Sequence, residues 1–124
     1  MEKGFGVKGL IMDEDQVLVL VEPDGRVDLP GGRVDEGEAL AVCLEREVRE
    51  EANIEVEIQS PVVQWSFMKT AGLEISGTTY LCRYAGGDIR LSHEHTEYSW
   101  VELEKLYEPR FLDRGRLRAY LGAS

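Results

Sequence analysis

Cysteines, positive charges and long apolar runs are all scarce in this 124-residue chain, and each shortage excludes a class of protein. Its two cysteines, Cys43 and Cys82, follow no metal-binding or disulfide spacing, so we expect reduced thiols and a cytoplasmic protein. Fourteen Lys and Arg against 24 Asp and Glu give a net charge of −10, which argues against binding to a nucleic-acid polymer. Since no apolar run has the length of a membrane span and no signal peptide begins at Met1, no membrane association is expected.

The residues that are present predict one folded domain. With 43% hydrophobic residues, a chain of this length can bury about two thirds of its unfolded surface. No internal repeat, low-complexity tract or linker interrupts it, so we predict a single domain over residues 1–124.

Apolar, β-branched segments surround one strongly helical segment. The pattern predicts strands at residues 5–12, 16–21, 26–29, 54–58, 62–68 and 73–84, and helices at 38–52, 102–107 and 111–121. The second strand is apolar throughout, as expected when both of its faces are covered. This order of elements predicts an α/β fold in which a mixed sheet lies between helices.

The helix at residues 38–52 has an apolar face and an acidic face. At 100° per residue, the apolar face is formed by Leu40, Ala41, Leu44, Val48 and Ala52. Glu47, Glu50 and Glu51 fall on the adjoining arc, so their carboxylates converge on one patch. Cys43 lies on the same arc, where simple packing is favoured over a role in a site.

Three converging carboxylates are unfavourable in a helix without a cation. Like charges at i,i+3 and i,i+4 repel by a few tenths of a kcal/mol per pair, and acids in the last turn oppose the macrodipole at about 0.3–1 kcal/mol each. A bound cation removes both costs, and carboxylate oxygens are the ligands that Mg²⁺ and Mn²⁺ prefer. A solvated acidic face is the alternative for the glutamates alone.

A glycine pair precedes this helix. Pro30 stiffens the chain, and Gly31 and Gly32 let the backbone turn tightly and approach a ligand closely. Gly37 repeats the effect, and free N–H groups ahead of a helix suit a phosphate. A simple turn is the alternative for the glycines alone.

The combined spacing resembles the Nudix box, G-x5-E-x7-R-E-U-x-E-E-x-G-U, in which U is aliphatic. Gly32 and Glu38 supply the first two positions and residues 46–54 the remainder, so eight of the nine defining positions match. The ninth is Asn53 in place of glycine. Asparagine is the usual second choice for the left-handed residue after a helix, so the difference is structurally tolerable.

The resemblance implies a Nudix-type α/β/α sandwich and the hydrolysis of a nucleoside diphosphate linked to another group, with Mg²⁺ or Mn²⁺ as cofactor. It assigns Glu50 and Glu51 as the principal metal ligands and Glu47 as a ligand or the group that orients the attacking water. The backbone carbonyl of Gly31 would also bind the metal. The loop would be supported by three residues, Gly32, Glu38 and Arg46.

The segment before Trp100 contains further candidates. Nudix proteins commonly carry an acid in a loop ahead of such a Trp-Val strand, where it joins the metal site or acts as base. Glu94 is the first choice for this acid and Glu97 the second. His93 and His95 have a ligand-like spacing, but with no cysteine or third histidine nearby they are interpreted as loop residues in contact with substrate rather than as a zinc site.

The substrate is less constrained than the reaction. A small domain favours a (deoxy)nucleoside triphosphate split to monophosphate and pyrophosphate, with ADP-ribose or a related nucleotide sugar as the alternative. A catalytically silent module that binds a nucleotide or a protein, and an acidic cation-binding protein, are further hypotheses. We expect a monomer or homodimer.

The sequence does not decide which residues outside the box contact the substrate. Many relatives carry Trp where this chain has Val27, so a stacking contact is expected to be absent there. Strand aromatics are interpreted mainly as core, with one or two able to stack on a base; they are Trp65, Phe67, Tyr80 and Tyr84. Three arginines near the end are interpreted as a solvated face, with phosphate contact or charge balancing as the alternative; they are Arg114, Arg116 and Arg118.

Overall fold

A computed structural model describes residues 1–123, and the seven strands of this part of the chain form one sheet. The strands are β1 (Glu2–Asp13), β2 (Gln16–Val21), β3 (Val27–Asp28), β4 (Gly31–Arg33), β5 (Glu55–Thr70), β6 (Leu73–Gly86) and β7 (Glu97–Glu102). The α-helices are α1 (Leu40–Ala52), α2 (Pro109–Leu112) and α3 (Leu117–Tyr120), and a 3₁₀ helix spans Leu103–Tyr107. Every helix in this part of the chain is too short or too polar to cross a membrane.

The sheet is mixed, and its order places the glycine pair beside the central strand. The order is β3-β2-β1-β6-β5, with β4 paired to β1 and β7 paired to β2. Only β1 and β6 run parallel among the pairs described, and the other pairs are antiparallel. In the β1–β4 pair, Val7 lies opposite Gly32 and Lys8 opposite Gly31. The predicted α/β class with a mixed sheet is confirmed.

Each face of the sheet carries its own hydrophobic core. Alternation along β2 directs Val17 and Val19 to one face and Leu18 and Leu20 to the other, so the strand is covered on both sides as predicted. The face with Leu18 and Leu20 packs against α1, and the face with Val17 and Val19 packs against the C-terminal helices. The sheet therefore lies between two helical layers.

The predicted start of α1 is wrong by two residues, and part of its predicted apolar face is exposed. Residues 35–38 form a turn instead, because the N–H of Glu38 donates to the carbonyl of Asp35 and Gly37 adopts a φ of +77°. Leu40 is 42% exposed and Ala41 is exposed as well. The buried residues of the helix are Cys43, Leu44, Val48, Glu51 and Ala52.

The C-terminal helix predicted for residues 111–121 is divided into α2 and α3. Gly115 separates them with a φ of +84°, where a Cβ would lie 2.5 Å from the carbonyl oxygen of Val27. Because this glycine also bridges to Val27, the break docks the end of the chain onto β3. The helix predicted at residues 102–107 is a 3₁₀ helix.

Two predictions about strands are also wrong. The segments 54–58 and 62–68 belong to one long strand, β5, in which Pro61 lies at register shifts on the edge of the sheet, where proline is tolerated. The glycine segment, predicted as a turn, forms the short strand β4.

Candidate metal and nucleotide site

The glycine pair lets two helix carboxylates lie against β4. A Cβ on Gly31 would lie 2.0 Å from the carbonyl oxygen of Val7, and its φ of +147° already disfavours a side chain. A Cβ on Gly32 would lie 2.5 Å from the carboxylate of Glu47. The N–H of Gly31 donates to Oε1 of Glu51 at 2.8 Å. The absence of side chains here therefore brings the end of α1 into contact with the strand.

Glu51 is the buried member of the acidic face. The residue is 4% exposed. Burial raises the pKa of its carboxyl group to about 7, although the nearby Lys8 ammonium and the N–H of Gly31 act in the opposite direction. A carboxylate held in this position gains from a closely bound cation. Its place in the site fits a metal ligand.

Arg46 holds the remaining carboxylates together. Its guanidinium donates to Glu38 through Nε at 2.7 Å and through a terminal nitrogen at 3.0 Å. The same guanidinium lies 3.1 Å from Glu47 and 3.1 Å from Glu50. It therefore offsets part of the repulsion between the helix carboxylates from which the sequence predicted a bound cation. Glu50 remains 58% exposed in its side chain, and burial raises the pKa of the half-buried Glu47. The structural role assigned to Arg46, Glu38 and Gly32 stays a prediction.

Replacing Arg46 with lysine is expected to loosen the segment before α1. Lysine keeps the charge but cannot make the two-pronged contact with Glu38, so the turn at residues 35–38 loses its tie to the helix. Amide hydrogen exchange at residues 31–38 should become faster, and kcat/KM should fall by up to about 100-fold as the site loses its alignment. The matched control is Arg49→Lys, which affects an exposed pair with Glu55. Equal exchange rates in both variants would contradict the prediction.

The loop between β6 and β7 brings a third carboxylate to the site. The N–H of Ser92 donates to the carbonyl of Glu51 at 3.1 Å, which ties the loop to the end of α1. One carboxylate oxygen each from Glu51 and Glu94 and one ring nitrogen of His95 all lie within 4.8 Å of one another. Of the three, Glu94 is exposed while Glu51 and His95 are buried. The three residues are called the Glu51–Glu94–His95 cluster below.

The other sequence candidates lie elsewhere. Glu97 is the first residue of β7, opposite Val21, and it belongs to no three-ligand group among residues 1–123. His93 is exposed in the loop and is likewise outside any such group in the described residues. His95, interpreted from the sequence as a loop residue able to touch substrate, lies with Glu51 and Glu94, and its contact with substrate stays a prediction.

A buried ion pair adjoins the cluster. Lys8 donates to Oδ1 of Asp28 at 2.8 Å and to the carbonyl of Leu29 at 3.0 Å, and Nε2 of His95 lies 3.3 Å from Oδ2 of Asp28. Burial opposes the charge on both partners, but the pKa of Lys8 is raised by Asp28 and that of Asp28 is lowered by Lys8 and His95. Lys8 and Asp28 are not predicted as site residues from the sequence, because their partners are distant in the chain and no local motif includes them.

A cavity of about 410 Å³ lies beside β4 on the face that carries the C-terminal helices. Its walls include Gly32 and Asp28, so it is continuous with the residues just described. Trp65 and Phe67 are stacked there with ring centroids 5.6 Å apart, and the Arg116 guanidinium covers Phe67 at 3.9 Å. The cavity therefore offers aromatic and cationic surface next to the carboxylates.

The remaining substrate candidates are Val27, two tyrosines and three arginines, and they lie in different parts of the fold. Val27 is buried in the cavity wall, where it provides no ring for stacking. Tyr80 and Tyr84 pack in the core below α1. Arg114 donates to the carbonyl of Gly25, and Arg118 pairs with Asp113 at 2.8 Å. Arg116 is thus the member of the arginine group that lines the cavity.

Comparison with known proteins gives a consistent result. A family model described as NUDIX domain matches residues 2–121. The nucleoside triphosphatase NudI of Salmonella schwarzengrund is 33% identical over 93 residues, which cover 66% of this chain and 65% of NudI. The chain spans slightly less than two thirds of the length of the curated relatives it matches first.

Two solved structures share the architecture. The MutT protein from Methanosarcina mazei superimposes with a TM-score of 0.76 at 33% identity, covering 85% of this chain and 80% of that one. An ADP-ribose pyrophosphatase from Streptococcus suis gives a TM-score of 0.68 at 27% identity, covering 82% of this chain and 75% of that one. Both superpositions cover more than four fifths of this chain.

Proposed function

The chain belongs to the Nudix family, and from this premise we propose that it is a metal-dependent pyrophosphohydrolase acting on nucleoside diphosphates linked to a further group. The observation that carries the proposal is the buried carboxylate of Glu51, held by Gly31 within 4.8 Å of the Glu94 carboxylate and beside a nucleoside-sized cavity. A solvated acidic face would not bury one of its carboxylates.

The donor set fits a divalent cation. Glu51 and Glu94 face each other, and His95 adds a buried ring nitrogen with no hydrogen-bond partner among the described residues. Glu50 and the carbonyl of Gly31 would complete the binding residues. When bound, Mg²⁺ or Mn²⁺ neutralises the negative charge that develops on the phosphates during hydrolysis.

A carboxylate of the protein must orient the attacking water and accept its proton. Glu47 and Glu94 are the candidates, because Glu47 is half-buried and lies close enough to Glu94 that its pKa is raised by burial and, less strongly, by the charge of Glu94. A raised pKa makes a carboxylate a better base near neutral pH. Glu97, at the start of β7, belongs to no three-ligand group among residues 1–123 and is the weaker candidate for this role.

For the substrate we propose a (deoxy)nucleoside triphosphate, which is split to the monophosphate and pyrophosphate. The cavity volume of about 410 Å³ lies within the roughly 300–1,000 Å³ typical of small-molecule sites. Cationic side chains also line it, although the chain as a whole has a net charge of −10: Lys8, Arg26, Arg33, Lys69 and Arg116. The relative NudI, which is 33% identical to this chain, is named as a nucleoside triphosphatase.

ADP-ribose is the second candidate substrate, favoured by the likeness to the Streptococcus suis ADP-ribose pyrophosphatase. A panel of nucleoside triphosphates, ADP-ribose and sugar nucleotides, with Mg²⁺ or Mn²⁺, separates the two candidates. Phosphate release is measured with coupled inorganic pyrophosphatase for the triphosphates and with a coupled phosphomonoesterase for ADP-ribose and the sugar nucleotides. Release from triphosphates supports the first candidate and release from ADP-ribose alone the second. Tight nucleotide binding without any product would favour a silent module and overturn the proposed activity.

Replacing Phe67 with alanine is expected to raise KM about 10-fold while kcat changes little. Trp65 and the Arg116 guanidinium both lie against the ring of Phe67, so truncation removes the cation–π support that places the charge of Arg116 in the cavity. Phe67→Tyr, which keeps the ring, should retain the original KM. The matched control is Tyr107→Ala, which truncates an aromatic ring that is 46% exposed and outside this cavity. An unchanged KM in Phe67→Ala would remove Phe67 from the substrate site.

A further inference from the structure

We propose that His95 is a nitrogen ligand of the metal site and that Asp28 holds its ring in position, so that the site prefers Mn²⁺ to Mg²⁺. This inference rests on the metal site of the proposed function and specifies which cation it selects. It begins from a buried polar atom for which the described residues provide no partner.

The side chain of His95 is 2% exposed, and its two ring nitrogens have different surroundings. Nε2 lies 3.3 Å from Oδ2 of Asp28, whereas Nδ1 is buried and makes no hydrogen bond to any of residues 1–123. A buried polar atom without a partner is rare in folded proteins, and a bound ion is one of its recognised explanations.

The partner of Nε2 decides which nitrogen carries the proton. An ionised carboxylate only accepts hydrogen bonds, and Asp28 is kept ionised by Lys8, which donates to its other oxygen at 2.8 Å. Nε2 must therefore be the donor to Asp28, which leaves Nδ1 with a free lone pair. A histidine that ligates a metal characteristically donates its other N–H to a carboxylate in this way.

The carboxylates of the Glu51–Glu94–His95 cluster approach the ring without a hydrogen bond to Nδ1. Oxygens of Glu51 and Glu94 lie within 4.8 Å of a ring nitrogen, yet Nδ1 has no hydrogen-bond partner among the described residues. Three ligand atoms at this separation can surround one ion.

The ligand types determine the cation. Mg²⁺ and Mn²⁺ share a preference for carboxylates, carbonyls and water, but Mn²⁺ is a transition metal that also binds an imidazole nitrogen, which Mg²⁺ rarely takes. A set of two carboxylates and one imidazole is a mixed set that Mn²⁺ accepts. We therefore expect the ratio of the Kd for Mg²⁺ to that for Mn²⁺ to depend on His95.

The direct test is pulsed electron paramagnetic resonance on the untagged protein loaded with Mn²⁺ after removal of bound metal. Nitrogen coupling from an imidazole should appear in the spectrum. The chain contains two histidines, so replacing each in turn identifies the source. The coupling should persist in His93→Gln and disappear in His95→Gln, and His93 is a matched control because it lies in the same loop and is exposed.

Metal binding by calorimetry gives a second readout that does not depend on turnover. In His95→Gln the Kd ratio for Mg²⁺ over Mn²⁺ should fall at least about 10-fold, because only the Mn²⁺ complex loses a preferred ligand. Asp28→Asn should weaken Mn²⁺ binding by about 10- to 100-fold, as expected for a group that orients a ligand. Recovery of the nitrogen coupling at saturating Mn²⁺ in Asp28→Asn would confirm that Asp28 acts through His95.

The outcomes separate this inference from the proposed activity. Mn²⁺ bound without nitrogen coupling in the wild-type protein, together with hydrolysis of a panel substrate, would overturn the role of His95 and leave the activity intact. Nitrogen coupling with no hydrolysis would support His95 and contradict the activity. Failure to bind Mn²⁺ would overturn the inference outright. The wild-type spectrum decides the question even if His95→Gln fails to fold.

Discussion

Replacing Glu51 with glutamine is expected to lower kcat at least about 100-fold at saturating Mg²⁺ or Mn²⁺. The substitution keeps the shape of the side chain and its contact with the N–H of Gly31, but removes the charge that the buried site offers to a metal. The loss should be accompanied by weaker metal binding in calorimetry, which places the effect at the site.

The control for this variant is Glu45→Gln, which makes the same change of charge on the exposed side of α1. It should retain nearly normal kcat. Since burial raises the pKa of Glu51, the neutral glutamine is not expected to destabilise the metal-free protein. Near-normal turnover in Glu51→Gln, or a loss of activity explained by a lowered Tm, would contradict the role of this carboxylate.

Replacing Lys8 with methionine is expected to lower the free energy of unfolding by about 3–5 kcal/mol. The side chains of Lys8 and Asp28 are 10% and 16% exposed. Removal of the ammonium therefore leaves a buried carboxylate whose remaining partners among residues 1–123 are His95 and the N–H of Leu29. Urea denaturation monitored by tryptophan fluorescence measures the change.

Two further variants test the explanation. Lys3→Met makes the same substitution at an exposed position of β1 and should change stability by less than about 0.5 kcal/mol. The double variant Lys8→Met with Asp28→Asn removes both charges and should recover part of the lost stability, because no ion is left unpaired. A cost below about 1 kcal/mol for Lys8→Met would show that the pair contributes little.

Features with a local cause could be predicted from the sequence. The spacing of Glu47, Glu50 and Glu51 places them on one arc of a helix whatever surrounds it, because 100° per residue is a property of the backbone. Asn53 does adopt the left-handed conformation after α1, with φ of 61°, since the end of a helix imposes it. The position of β2 between two helical layers was also predictable, because an apolar residue at every position of a strand indicates that both of its faces are covered.

Where a distant contact intervenes, the local pattern fails. The turn at residues 35–38 replaces the first helical turn, and the contact of Glu38 with Arg46, eight positions away, ties that turn to the helix. The C-terminal helix is broken where Gly115 meets Val27, a contact that no pattern within residues 111–121 contains. Leu40 and Ala41 are exposed because amphipathic spacing shows which side of a helix is apolar, but not how far the sheet beneath it extends.

The sequence by itself determined the acidic helix, the glycine pair ahead of it and the family to which the chain belongs, since all three depend on spacing within 24 consecutive residues, 31–54. Only the tertiary structure decided which carboxylate is buried and which groups join it. His95 and Asp28 lie 67 positions apart, and Lys8 and Asp28 lie 20 apart. Their meeting depends on the pairing of β1 with β4 and of β2 with β3 and β7, and no local spacing records it.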